Sequence, residues 1–224
     1  MPRRIVLVSG AEQGVGYAIA QSLAASGDGY HIFITSSNLE AAEKALISIS
    51  ANMTNAKNRL YAIQLDSTNA ASIDDAKAFI DDRYGRLNVL INVGVKIPAL
   101  NTKAGEHEEN SVDFPPLSIV FRPLLLRSSN PYSLYIRSYM EALAPKAENA
   151  EAHSSSDTTN QISREELKIL VEKEHAVYGD EGLKVFALNL GTSATHGKSN
   201  DENGNLILRI LRGERDNEAG RLVH

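Results

Sequence analysis

The stretch that most constrains the fold is "IVLVSGAEQGVGYAIAQSLAASG", residues 5–27. An apolar run, a glycine-rich turn and an Ala-rich helical pattern follow one another without a spacer. Gly10, Gly14 and Gly16 stand in a G-x-x-x-G-x-G spacing between the strand and the helix. Glycine permits a tight turn and the close approach of a pyrophosphate, whose charge a helix N-terminus attracts. The same string also serves as a tight turn with no ligand, so its placement between a clean strand and a helix carries the weight.

Downstream, strand-like runs alternate with helical patterns. Strands are expected at Ile5–Val8, His31–Thr35, Leu60–Leu65 and in "LNVLINV" (87–93). Helices are expected at Val15–Ser26, Leu39–Ala51 and Ala70–Tyr84, the last closed by Gly85. Asn38 is placed to cap the second helix, where Glu40 and Glu43 suit the positive N-terminal end. The strands are apolar throughout, as when helices cover both faces of a sheet. Strand–helix repetition then implies right-handed crossovers in a doubly wound, parallel α/β sheet of Rossmann type, as one domain.

Residues 1–95 form the clear nucleotide-binding half, and residues 96–224 a divergent half. There "IPALNTKAGEHEEN" (97–110) reads as loop, and "PPLSIVFRPLLLRSS" (115–129) as a helix starting at Pro115. "YSLYIRS" (132–138) alternates like a strand, and 144–160 is small and polar. Helix Ser163–Tyr178, turn Gly179–Gly182 and strand Leu183–Leu190 follow, then a short helix Leu206–Arg212 and a last strand Arg221–His224.

At 224 residues and 42% hydrophobic content, one domain has material for an ordinary core. A net charge of −5 gives no electrostatic case for nucleic acid or an anionic membrane. No apolar run approaches the roughly 18–20 residues of a membrane span, and Met-Pro-Arg-Arg leads straight into the first strand. The expectation is a protein with neither signal peptide nor membrane anchor, cytoplasmic by default. The absence of cysteine excludes disulfides, thiol nucleophiles and thiolate metal sites, and no metal site is expected.

The turn, "LDST" (65–68), "NVLINVG" (88–94) and "FALNLGTSAT" (186–195) together resemble the short-chain dehydrogenase/reductase family. "PLLLRSSNP" (123–131) and "GERDNEAGRLV" (213–223) look like a fungal carbonyl-reductase-like branch of it. The resemblance implies a dinucleotide cofactor, NADP or NAD. It makes Asp66 the adenine-contacting acid, with a turn cap before Thr68 as the alternative. Asn92 and Gly94 then belong to the Asn-Asn-Ala-Gly motif, in which Val93 and Val95 replace Asn and Gly. Gly191 and Thr195 match the Pro-Gly-x-x-x-Thr segment at the nicotinamide end, with Leu190 for the proline.

An NAD-type site also calls for an acid at the end of the second strand, where this chain has Ser36 and Ser37. An NADP-type site calls for a cation, where it has Gln13 and Ser37 with Glu12 next door. Neither cofactor is well specified, and a site that binds none is a third outcome.

The family's redox chemistry rests on Asn, Ser and a Tyr-x-x-x-Lys pair, the lysine lowering the tyrosine's pKa for proton transfer. None of the eight tyrosines here has lysine four residues on. Counting back from Gly191 without gaps puts Asn160 at the tyrosine, Arg164 at the lysine, Ser138 at the serine and Asn110 at the asparagine. An amide does not ionise, whereas an arginine stays cationic and can hold ribose hydroxyls or a phosphate. Losing a general acid costs about 10²–10⁴ in rate. Ser138 also reads as a polar strand end and Asn110 as a loop asparagine. His196, beside Thr195, is a candidate proton donor, ahead of His153 and Asp157 in the polar insert.

Leu167, Leu170, Val171 and Val177 make one apolar stripe on the helix that carries Arg164. Family dimers bury a second face of that helix, so a monomer is expected, a dimer not being excluded. The expectation is a family fold that acts on a small organic molecule such as a secondary-metabolite intermediate. Standard carbonyl reduction would be lost and the site reused for cyclisation, isomerisation or elimination. The alternatives are an NAD(P)(H)-dependent reductase with a non-standard catalytic set and a non-catalytic dinucleotide-binding module.

Overall fold

The structure, a computed structural model, describes residues 3–53, 57–94, 115–138, 164–190 and 200–223. The elements are β1 (Arg4–Val8), α1 (Gly14–Ala25), β2 (Tyr30–Ser36), α2 (Leu39–Ala51), β3 (Arg59–Gln64), α3 (Ala70–Tyr84) and β4 (Val89–Val93), followed by α4 (Pro116–Leu126), β5 (Tyr132–Ser138), α5 (Arg164–Tyr178), β6 (Lys184–Leu190), α6 (Asn200–Leu211) and β7 (Arg221–Val223). The seven strands form one sheet in the order β3-β2-β1-β4-β5-β6-β7. Every pairing is parallel. This is the doubly wound α/β architecture that the strand–helix alternation implies, in a single domain.

The period-2 geometry of a strand divides each run between two cores. Val6 and Val8 of β1 face Ile19 and Leu23 of α1, Ala45 of α2 and Ile207 of α6. Ile5 and Leu7 face the other side, with Ile73 of α3, Phe121 of α4 and Leu167 of α5. The apolar-throughout strands therefore mean burial on both faces.

Local signals set the element ends. Asn38 Oδ1 accepts from Glu40 N at 2.9 Å and starts α2 at Leu39. Gly85, at φ 64, ends α3 in the left-handed region. Two buried asparagines fasten the opposite end of the sheet. Asn58 Oδ1 accepts from Tyr30 N at 2.7 Å, and its Nδ2 donates to the carbonyls of Leu23, Ala24 and Ser26 that close α1. Asn88 Oδ1 accepts from Ile5 N at 2.7 Å and its Nδ2 donates to Ser128 Oγ at 2.6 Å.

Two expectations need correction. The last helix begins at Asn200, not Leu206, because Gly204 lies against α1, where a Cβ would stand 2.0 Å from Ser22 Oγ. This close crossing holds the polar first turns of α6 in helix although their composition reads as loop. On α5, Val177 is 54% exposed, and the stripe is completed by Glu174, which is 1% exposed.

Asn58→Ala would strip one strand amide and three helix-end carbonyls of their partner inside the core. It is expected to lower unfolding free energy by about 2–4 kcal/mol, read from urea denaturation. A loss below about 0.5 kcal/mol would show that water replaces the amide.

Candidate active site

The cradle is made of backbone. Gly10 and Gly14 sit at φ 57 and 58, conformations that a side chain rarely adopts. Gly16 is held by closeness: a Cβ there would lie 2.2 Å from Gly10 O and 2.9 Å from Gly10 C. The turn is anchored on both sides, Ser9 N donating to Ile91 O at 2.9 Å and Ala11 N to Thr35 O at 2.8 Å. Gln13, the N-cap of α1, makes no side-chain capping bond, and the first turn of α1 carries no acid. A helix end of this kind, behind a turn with no side chains in the way, accommodates a phosphate.

β4 closes the neighbouring wall. Val93 N donates to Ser9 Oγ at 2.8 Å, Asn92 is buried beside Ser9, and Gly94, at φ 68, donates its N–H to Ile136 O at 3.1 Å. Thus Gly10, Gly14, Gly16, Asn92 and Gly94 come together at the C-terminal ends of β1 and β4.

The polar groups at the ends of β2 and β3 bond one another. Ser36 is buried and its Oγ accepts from Asn38 N at 3.2 Å. The carbonyl of exposed Ser37 accepts from Gln64 Nε2 at 2.9 Å. Asp66 Oδ1 accepts from Thr68 N at 2.8 Å and Thr68 Oγ1 at 2.6 Å, the turn-cap geometry that was the alternative to an adenine contact.

Of the catalytic candidates, Ser138 ends β5 opposite Leu190 of β6. Arg164 is the first residue of α5 and lines, with Lys168 and Arg221, a groove of about 580 Å³ between α5 and β7. Asn110, Asn160, Gly191, Thr195 and His196 lie outside the described residues, as do Val95, His153 and Asp157. Among the described residues no cluster of three or more His, Asp or Glu side chains could hold a metal ion. No helix among them is long and apolar enough to cross a membrane.

Two features escaped the sequence reading. The first is the burial of Glu12, which the sequence places only next to the phosphate position: its Oε2 is buried and has no hydrogen-bond partner. The second is a polar knot joining α4, β5 and α5. Tyr135 OH donates to Glu174 Oε2 at 2.5 Å and meets Ser118 Oγ at 2.6 Å. Arg122 Nη2 donates to Glu174 Oε1 at 3.0 Å, with its guanidinium 4.2 Å above the Tyr178 ring. Burial raises the Glu174 carboxyl above its ordinary range, against the pull of Tyr135 and Arg122. Burial, and then the Glu174 charge, push the Tyr135 phenol well up. The available signal was spacing: Glu174 falls seven residues after Leu167, on the apolar stripe.

A family model described as short chain dehydrogenase matches residues 4–113, the segment that contains the cradle. Over these residues the chain is similar to the short-chain dehydrogenase/reductase family. A short-chain dehydrogenase/reductase of Talaromyces stipitatus, tropE, is 22% identical over 254 residues, covering 99% of this chain and 95% of its own. The short-chain dehydrogenase anuI of Penicillium roqueforti is 38% identical over 88 residues, which are 39% of this chain and 33% of that relative. Among solved structures, RhlG of Pseudomonas aeruginosa in an active-site complex with NADP superposes with a TM-score of 0.70. It is 18% identical, over 98% of this chain and 93% of that one, a likeness of fold.

The knot yields a pH dependence. With its carboxyl raised by burial, the folded state binds the Glu174 proton more tightly than the unfolded chain does. That contribution is fullest below the ordinary value of 4.5 and is lost as pH rises through the folded-state value. The urea midpoint of the wild type, measured relative to Glu174→Gln, is expected to fall from mildly acid to neutral pH. A pH-independent difference between the two would refute it.

Proposed function

We propose that the protein is an NAD(P)(H)-dependent oxidoreductase acting on a small organic carbonyl or alcohol, with a non-standard acid–base set. The observation that carries this reading is the bare backbone of the turn: Gly10 and Gly14 sit at φ 57 and 58, with nothing within 4 Å of where a Cβ would stand, in front of a helix end that no side chain caps. Backbone left bare in this way lets a pyrophosphate approach the helix end, while Gly16, pressed on Gly10, packs α1 onto the turn. Gly10, Gly14 and Gly16 would hold the pyrophosphate, and the wall of Asn92 and Gly94 would carry the nicotinamide half. The dinucleotide, when bound, supplies or accepts a hydride. Arg164 is the cation for a ribose hydroxyl or phosphate, and Ser138 the hydroxyl that positions the substrate oxygen. His196 or water delivers the proton that Asn160 cannot.

One observation favours a second reading, in which the fold performs non-redox chemistry. No tyrosine in the chain is followed by lysine at the fourth position, so the family's usual proton donor is missing from the sequence.

Calorimetric titration with NADH and NADPH, followed by a panel of small ketones and alcohols, separates the two. The oxidoreductase reading expects micromolar binding of one nucleotide, oxidation of that nucleotide by a ketone, and loss of turnover in Arg164→Ala. Binding without turnover on any substrate would overturn it for the second reading. Full activity in Arg164→Ala would remove Arg164 from the mechanism.

A further inference from the structure

We propose that Glu12 is the ribose-binding carboxylate of this site, replacing the acid absent from the end of β2, and that the site therefore selects the dinucleotide lacking a 2′-phosphate. The inference rests on the dinucleotide reading above and specifies which dinucleotide the site takes.

Glu12 lies in the turn between β1 and α1, immediately after Ala11, whose N–H donates to Thr35 O at 2.8 Å. That bond ties the turn to the C-terminal end of β2, the place from which an acid reaches the adenosine ribose in dinucleotide-binding folds. Glu12 Oε2 is buried without a hydrogen-bond partner. An ionised carboxylate only accepts hydrogen bonds, so a buried oxygen of this kind calls for a ligand that brings donors. A ribose with its 2′- and 3′-hydroxyls brings two.

Among the described residues, the end of β2 offers no substitute acid. Ser36 Oγ takes the Asn38 N–H, and Asn38 Oδ1 takes the Glu40 N–H. Nor does Glu12 cap α1, since the N-cap is Gln13 and the first helical turn contains no acid. The helix end therefore stays open to the pyrophosphate.

Charge sets the selectivity. Residues 9–16, 36–38 and 64–69 contain Glu12 and Asp66 and no lysine or arginine. A 2′-phosphate would remove the hydroxyl donor and place a doubly charged group beside a buried carboxylate, with no cation in these turns to offset it.

The test uses ADP-ribose and 2′-phospho-ADP-ribose, which report this half of the site without turnover. Calorimetry on the wild-type chain is expected to show ADP-ribose binding at least about tenfold more tightly. In Glu12→Gln, which keeps the shape and loses the charge, ADP-ribose weakens and the ratio falls towards one. In Glu12→Lys the ratio inverts. Thermal melting of each variant checks that the fold is kept. Equal or tighter wild-type binding of the 2′-phosphorylated compound, or a ratio that Glu12→Gln leaves unchanged, would overturn the assignment while leaving the dinucleotide reading intact. If the wild type bound neither compound, nor NADH or NADPH, both would fall together.

Discussion

Everything at the C-terminal edge of the sheet depends on one steric contact, the backbone of Gly16 pressed against the carbonyl of Gly10. A Cβ at Gly16 would come within 2.2 Å of that oxygen. The first turn of α1 therefore lies on the chain that leaves β1, and its N–H groups stand where the turn opens. α1 in turn seats α6, since Gly204 crosses it so closely that a Cβ would reach 2.0 Å from Ser22 Oγ. One helix thus positions both the phosphate cradle and the last helix of the chain. A shift of α1 by even a fraction of an ångström would be felt at both ends.

The two faces of the sheet are organised by different physics. The α1/α2/α6 face is apolar, and its tight points are glycine contacts. The α3/α4/α5 face buries an ion pair and a phenol where aliphatic side chains would pack as well. Desolvating Arg122 and Glu174 offsets most of what their attraction returns, so the pair is weak as a source of stability. It does fix geometry. Glu174 accepts from Tyr135 on β5 and Arg122 on α4 at once, which sets the rotation and axial position of α5 against the strand ending at Ser138. Removing Arg122 alone would leave the buried Glu174 carboxylate without its counter-ion, a far larger penalty than the net worth of the pair.

How much was legible follows from where the signals lie. α2 and β5 agree with expectation at both ends because strong local chemistry marks them: Asn38 caps, and the turn at Asn130–Pro131 precedes Tyr132. Doubly covered strands print themselves as apolar runs. The start of α6 was not legible, because Asn200, Asp201, Glu202 and Asn203 have no apolar period, and the crossing of α1 at Gly204 leaves no mark in composition. Glu174 and Val177 were exchanged in the reading for a related reason: hydropathy assigns the stripe by residue type, and a buried acid is visible only once its partners are known. Of the candidate site, the glycines could be read because their need is steric and local. Asp66 could not be decided, since one Asp-x-Thr pattern serves both a turn and a ligand, and the turn is what its Oδ1 makes. The positions matched by counting back from Gly191 carry no local physical signal at all.

The loss of the tyrosine–lysine pair does not by itself decide between redox and non-redox chemistry, and magnitudes show why. A general acid is worth about 10²–10⁴ in rate, or about 3–5 kcal/mol of barrier. Stabilising the charge that develops on a carbonyl oxygen is a separate contribution of similar or larger size, and a fixed hydroxyl or cation can supply it without giving up a proton. On the proposed reading Ser138 and Arg164 are those groups. An alkoxide held in this way can wait for a proton from His196 or water, because the proton need not arrive in the step that forms it. The chain would then be a slower reductase with a flatter pH profile than its relatives, its rate set by how well oxyanion charge is held. Non-redox reuse would need neither hydride transfer nor a nucleotide at turnover, so the reading turns on whether a bound nucleotide is oxidised or reduced, not on the missing tyrosine alone.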